Sequence, residues 1–227
     1  MIRTRNFLNL LVILSAFGLT GCASVKRVTF ETDDRGVVEA DIYGKGPHGL
    51  VLAHGGRFTK ESWKDQIDPF VAAGFRVAAI NFRGRGASRG GPGPKSEELY
   101  HLDVLAAVRH LRQTGAETVS VVGASFGGWA AAKAVATDPD QVDRLVLLAA
   151  SIDDPEKVTG PKLFILARED FRGGGILRLP EIRDQYERAP EPKTWVVLEG
   201  KAHAQFLFET EQGERVMTEI LDFLTAP

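Results

Sequence analysis

The chain of 227 residues has a single cysteine, Cys22, so no disulfide can form within it. No Cys/His cluster has zinc-ligand spacing either. Five histidines, His48, His54, His101, His110 and His203, are scattered. The two that share one helical pattern, His101 and His110, lie too far apart to meet on one metal. Positive charge is not in excess: 28 Lys and Arg stand against 30 Asp and Glu, a formal net charge of −2. Nothing in that balance suggests the strongly basic face of a nucleic-acid binder, and no nucleic-acid partner is expected. The apolar stretch Phe7–Leu19 is shorter than the roughly 20 residues of a bilayer span. No repeat and no break in composition divides the chain, whose 44% apolar and 26% charged content suits one globular domain with a sizeable core.

Acid is also missing from the first 22 residues, "MIRTRNFLNLLVILSAFGLTGC". Arg3 and Arg5 give a positive start, and Phe7–Leu19 has the length of a signal-peptide apolar region. Leu19-Thr20-Gly21-Cys22 resembles the lipobox of bacterial lipoproteins, and the chain's only cysteine stands where a lipobox needs it. That resemblance implies cleavage before Cys22 and a diacylglyceryl thioether on its sulfur. The expected organisation is a signal peptide at 1–21, a tether at 22–30 and one domain at 31–227. The expected location is the bacterial cell envelope, in the outer membrane if the organism is Gram-negative, with the membrane as partner through Cys22. Several acyl chains at roughly 0.8 kcal/mol per buried CH₂ would anchor it firmly.

Beyond residue 30, apolar runs and helical patterns alternate. Strands are predicted at Val37–Tyr43, Leu50–Ala53, Phe75–Asn81, Thr118–Val122, Leu145–Ala150, Leu163–Ala167 and Thr194–Leu198. Helices are predicted at Glu61–Ala73, Glu97–Gln113, Gly127–Thr137 and Glu209–Leu224, with Gly74 and Gly115 closing the first two. Such alternation predicts an α/β fold with a mostly parallel central sheet and helices on both faces. "RLVLLAA" and "KLFILA" read as strands buried on both sides. The Arg/Gly-rich segment 84–96 lacks interleaved aromatics and reads as a surface loop.

Between the strand at 118–122 and the helix at 127–137 stands Gly123-Ala124-Ser125-Phe126-Gly127, a G-x-S-x-G pattern. Glycines there permit a sharp turn that lifts a serine oxygen above the sheet at a helix N-terminus. A serine nucleophile needs a base, and His203, in the loop between the last strand and last helix, is in position for it. The base needs an orienting acid. Asp170, after the penultimate strand, is the candidate, with Glu169, Asp153 and Asp154 as rivals. An oxyanion would be met by the amide of Phe126 and that of Gly56 in "AHGGRF", with Arg57 the alternative to Gly56. His54 reads as structural, fixing that loop.

These features together resemble the α/β-hydrolase fold family: "AHGG" after one strand, "AINFRGRGAS" after the next, "GASFGG", then "RED" and "KAH". Ser125, Asp170 and His203 follow the chain order of that family's triad. The resemblance implies a serine hydrolase that needs no cofactor and cleaves a small-molecule ester by acyl transfer. Only about a dozen residues, Ser151 to Lys162, separate the strands that in many members flank a helical lid. The chain therefore resembles the compact lidless members, carboxylesterases and dienelactone-hydrolase-like proteins, although dienelactone hydrolase itself uses cysteine. A peptidase or lipase of the same fold, and a non-catalytic lipid-anchored scaffold, are the alternatives. Arg83, Arg85 and Arg89 hint at an acidic substrate. Oligomeric state is not legible.

Overall fold

A computed structural model describes residues 25–93 and 97–227. The signal peptide and the lipidation site Cys22 lie outside the described residues. Eight strands form one sheet in the order β1-β2-β4-β3-β5-β6-β7-β10: β1 Val25–Glu31, β2 Val37–Tyr43, β3 His48–Ala53, β4 Phe75–Asn81, β5 Thr118–Ala124, β6 Arg144–Leu148, β7 Lys162–Ala167 and β10 Lys193–Leu198. β1 and β2 are antiparallel to their neighbours, and the other six strands are parallel. A separate hairpin, β8 Phe171–Arg172 with β9 Ile176–Leu177, follows β7.

Alternate residues of each central strand feed two cores, which explains runs with no polar face. Val51, Val121, Leu147 and Phe164 turn to one side, where α2 (Tyr100–Gln113), α3 (Phe126–Thr137) and α4 (Leu179–Arg188) cover them with Val104, Val108, Ala131 and Ile182. Leu52, Val122, Leu148 and Ile165 turn to the other, under Trp63, under Ile67 and Phe70 of α1 (Lys64–Ala72), and under Val216 and Ile220 of α5 (Gly213–Thr225). The chain winds from β3 to β4 on one side, then returns past β3 to place β5 on the other. Winding direction thus reverses between β3 and β5, the position in such sheets where a crevice opens at the carboxyl ends of the strands. The register brings those ends level: Ala53 pairs with Gly123, Ala124 with Leu148, and Ala167 with Leu198.

Two expectations need correction. The tether assigned to residues 22–30 is, from Val25 onward, the edge strand β1, so the domain begins before residue 31. Its mixed sequence VKRVTFE is what a one-sided edge strand requires. Val28 and Phe30 pack inward, Phe30 stacking on His110 with ring centroids 4.8 Å apart, while Arg27 reaches Asp41 at 2.8 Å. The second is α4 and the hairpin before it, which carry none of the predicted elements. α4 buries few residues, but Tyr186 meets Phe164 and Trp195 at ring centroid distances of 5.5 and 4.9 Å. The connection between β6 and β7 holds only a short 3₁₀ turn, Pro155–Lys157.

Deleting residues through Glu31 should lower the thermal midpoint by well over the ~2–4 °C that 1 kcal/mol costs in a domain of this size. Circular dichroism melts of the two lengths check this, and equal midpoints would restore the tether reading.

Candidate active site

Ser125 ends β5 and opens α3. Its backbone sits at φ 50° and ψ −115°, a left-handed conformation that a side chain tolerates poorly. Such strain costs roughly 1–3 kcal/mol and persists only where the surroundings fix it. Three glycines provide that fixing, because each allows an approach a side chain would block. A Cβ on Gly123 would lie 2.5 Å from the Gly128 Cα, one on Gly127 2.3 Å from the Ala53 carbonyl oxygen, and one on Gly128 2.4 Å from the Ala150 Cβ. The first turn of α3 is therefore pressed onto β5, β3 and the end of β6. The Ser125 amide bonds the Leu148 carbonyl at 2.8 Å, and the Trp129 amide bonds the Ser125 carbonyl at 3.0 Å.

The side-chain relay is complete. His203 Nε2 stands 2.8 Å from Ser125 Oγ, and His203 Nδ1 stands 2.6 Å from Asp170 Oδ2. Beside a carboxylate, Nδ1 carries the proton and donates it, which leaves the Nε2 lone pair to accept from the serine hydroxyl. Asp170 is 1% exposed and His203 is 29% exposed, so the acid is shielded while the imidazole reaches solvent and substrate. The rival acids are elsewhere. Asp153 accepts from Trp129 Nε1 at 2.6 Å, Asp154 faces Lys157 at 3.3 Å, and Glu169 is exposed.

The loop after β3 presents an amide to the same place. The Gly55 carbonyl accepts from His54 Nδ1 at 2.8 Å and from the Phe58 amide at 3.0 Å. That carbonyl shares a peptide plane with the Gly56 N–H, so fixing one end aims the other in the opposite direction. Among the described residues no protein acceptor takes the Gly56 or Phe126 amide. The two residues are neighbours, a Cβ on Gly56 lying 3.7 Å from that of Phe126. Arg85 Nη2 holds the Gly56 carbonyl at 2.7 Å and so fixes the plane carrying the Arg57 amide. His54 accepts the Phe82 amide on Nε2 at 3.3 Å, tying the ends of β3 and β4 together. Burial pushes its pKa down to about 4, so it stays neutral and keeps both bonds.

The remaining histidines take other parts. His48 bonds Thr118 Oγ1 at 2.9 Å at the opposite edge of the sheet, and His101 bonds the Glu98 carbonyl at 2.7 Å. Aromatic rings cluster around Phe126, next to Ser125 in the chain: Tyr100, Phe82 and Trp129 lie 4.7, 5.3 and 5.7 Å from it, and Phe58 lies 5.4 Å from Phe206. Sequence reasoning missed this cluster, since aromatic positions carry no spacing signal across loops. The hint of an acidic substrate at Arg83 is overturned. Arg83 is buried and spent on Asp103, at 2.6 and 3.0 Å, and on Asp34 at 2.7 Å, bracing the loop after β4.

A hydrogen-bonded serine, histidine and aspartate, placed at the carboxyl ends of a mostly parallel sheet with the serine first in the chain, the aspartate next and the histidine last, is an arrangement found in a class of hydrolases. A sequence model of the alpha/beta hydrolase family matches residues 50–220, and the chain belongs to that family. Among curated relatives, it is 32% identical over 101 residues to the AB hydrolase superfamily protein YfhM of Bacillus subtilis, covering 44% of this chain and 34% of that one. It is 27% identical over 143 residues to the 2-hydroxy-6-oxononadienedioate/2-hydroxy-6-oxononatrienedioate hydrolase 1 of Dechloromonas aromatica, covering 61% and 49%. The chain thus spans half or less of the length of these relatives. Among solved structures, the Pyrococcus furiosus esterase Pf2001 superposes with a TM-score of 0.73 at 18% identity, covering 89% of this chain and 92% of the other. At that identity the likeness is one of fold.

The neutral state of His54 sets a pH dependence. Its folded pKa of about 4 lies below the ordinary 6.5, so the unfolded chain binds the proton first as pH falls. Stability held by this site is full above pH 6.5 and is lost towards pH 4, by an amount of order 3 kcal/mol. His101 and His110, also lowered by burial, add to the same slope. His54→Asn should narrow the gap in urea midpoint between pH 7 and pH 4.5. An unchanged gap would place the slope on the other two histidines.

Proposed function

We propose that the protein is a serine hydrolase cleaving small, short-chain esters through an acyl-enzyme on Ser125. The unbroken Ser125–His203–Asp170 relay at 2.8 and 2.6 Å carries this reading. His203 takes the hydroxyl proton as Oγ attacks the ester carbonyl, and Asp170 holds the imidazole tautomer and balances the charge it gains. The Phe126 and Gly56 amides receive the oxyanion, with the positive end of α3 behind them. His203 then returns the proton to the leaving alcohol, and water repeats the sequence on the acyl-enzyme. A short β6–β7 connection favours the compact lidless carboxylesterase type over a lipase. The intact relay at a strained serine argues against a retired scaffold.

A fluorophosphonate probe should label the purified protein at one site, within "GASFGG", and p-nitrophenyl acetate or butyrate should be cleaved faster than the palmitate ester. Ser125→Ala should abolish labelling and lower turnover by roughly 10⁶, and His203→Ala should do nearly the same because the two act as a unit. Folded wild-type protein that takes no probe and cleaves no ester in a broad panel would leave the scaffold reading, while preference for long chains or aminoacyl substrates would move it to a lipase or peptidase.

We also propose that Cys22 is lipidated and anchors the protein in the cell envelope, on the strength of the leader's composition and the lipobox pattern. β1 pairs Val25 with Tyr43, and β2 pairs Tyr43 with Val77, well back along β4 from its carboxyl end. β1 therefore starts towards the amino ends of the parallel strands, away from the carboxyl ends that carry Ser125. Expressed with its leader in a Gram-negative host, the protein should incorporate labelled palmitate and sediment with membranes, and Cys22→Ala should lose the label. An unlabelled, soluble wild-type product would end the anchoring proposal and leave the esterase proposal standing.

A further inference from the structure

Asp170 is buried on both carboxylate oxygens, yet only Oδ2 has a hydrogen bond, from His203. Its Oδ1 has no hydrogen-bond partner. The group that faces it is Arg178, whose Nε lies 3.5 Å away and is itself buried without another partner. Two buried atoms of opposite charge, each without a hydrogen-bond partner and 3.5 Å apart, form an ion pair. The backbone repeats the connection: the Arg178 amide donates to the Asp170 carbonyl at 2.9 Å. That bond closes the hairpin β8–β9, so Arg178 and Asp170 move together although eight positions separate them. Other ionic groups nearby are committed elsewhere. Arg172 pairs with Glu181 at 2.8 Å, and Arg168 pairs with Glu199 at 3.1 Å near the surface.

We propose that Arg178 is a positioning residue for the triad: its guanidinium holds Asp170 Oδ1 and so keeps the carboxylate turned with Oδ2 towards His203. The inference rests on the serine-hydrolase reading for its kinetic consequence only. A carboxylate has two equivalent oxygens and one torsion that exchanges them, and a cation fixed on one oxygen removes that freedom. It also offsets the cost of leaving a carboxylate in a dry site before His203 has gained any charge. Arg178 does not touch the substrate and transfers no proton. Its effect belongs on the step in which His203 becomes positive, hence on kcat, with KM little changed.

The test compares Arg178→Met, Arg178→Lys and, as a control on the same hairpin, Arg172→Met. Arg178→Met should lower kcat for p-nitrophenyl acetate by about tenfold to hundredfold, well short of the roughly 10⁴ that follows loss of the tautomer-setting acid. KM should stay within about twofold, and Arg178→Lys should recover most of the loss because it restores the cation. The low-field proton resonance of His203 Nδ1, which reports the short bond to Asp170, should shift or broaden in Arg178→Met and return in Arg178→Lys. Arg172→Met should leave both readouts alone. Wild-type kcat and resonance in Arg178→Met overturn the proposal, and so does a loss that Arg172→Met shares, which would mark the hairpin rather than the charge. Should the Met variant fail to fold, Arg178→Gln is read by the same two outcomes. If wild-type protein cleaves no ester and takes no probe, the enzymatic reading fails, and the resonance alone still decides whether Arg178 governs the Asp170–His203 bond.

Discussion

The contact of the first turn of α3 with the backbone of β3 and β5 is the constraint on which the site depends. It exists because residues 123, 127 and 128 are glycine, with no Cβ to keep the helix off the strands. Pressed this close, the chain can pass from strand to helix only through a single residue at φ 50°, and that residue is Ser125. Its oxygen stands clear of the sheet, and its position is set by backbone contacts that cannot relax by a rotamer change. Strain of roughly 1–3 kcal/mol is carried by a core buried on both faces of an eight-stranded sheet. Any side chain at Gly127 would meet the Ala53 and His54 carbonyls and force α3 away from the loop after β3.

The loops around that serine are held by buried polar groups, each with its partner in a neighbouring loop. His54 bonds the Gly55 carbonyl and the Phe82 amide, Gln205 receives the Gly55 amide at 3.2 Å and reaches Ser62 at 2.8 Å, and Asn81 receives the Lys60 amide at 2.8 Å. Arg83 ties the turn after β4 to α2 and to the β1–β2 turn. Loops at the ends of parallel strands have no ladder to continue, so their backbone groups must find side chains. This set of bonds ties four connections together: the β1–β2 turn and the segments after β3, β4 and β10. Under the proposed mechanism, such preorganisation lets the Gly56 and Phe126 amides meet an oxyanion without reorganising.

How far the sequence discloses this can be judged residue by residue. The buried strands were legible because their apolar runs need no context, and Ser125, Asp170 and His203 were legible because strand ends place them in order. β1 was not, since a one-sided edge strand such as VKRVTFE alternates too loosely to stand out from a tether. α4 was not, because LPEIRDQYER is mostly polar and its anchoring residues find partners only in β7 and β10. Arg83 was misread for a similar reason. An arginine in a glycine-rich loop looks solvated, and only the fold brings Asp34 and Asp103 to it from 49 and 20 positions away. What the sequence hides is pairing across distance, while period and turn chemistry are local and show.

The same distinction explains how charge is arranged at the site. Arg83, Lys60 and Arg178 lie close behind the catalytic edge, and each is neutralised by a buried or half-buried carboxylate rather than turned outward. No uncompensated charge therefore reaches the rim from these three. Arg85 is different: it is exposed, and its Nη2 lies on the Gly56 carbonyl at 2.7 Å. The Arg178–Asp170 pair stands closest to the serine. Oδ1 of Asp170 faces Arg178 at 3.5 Å and Oδ2 faces His203 at 2.6 Å, so the carboxylate that orients the imidazole is itself held from its other oxygen.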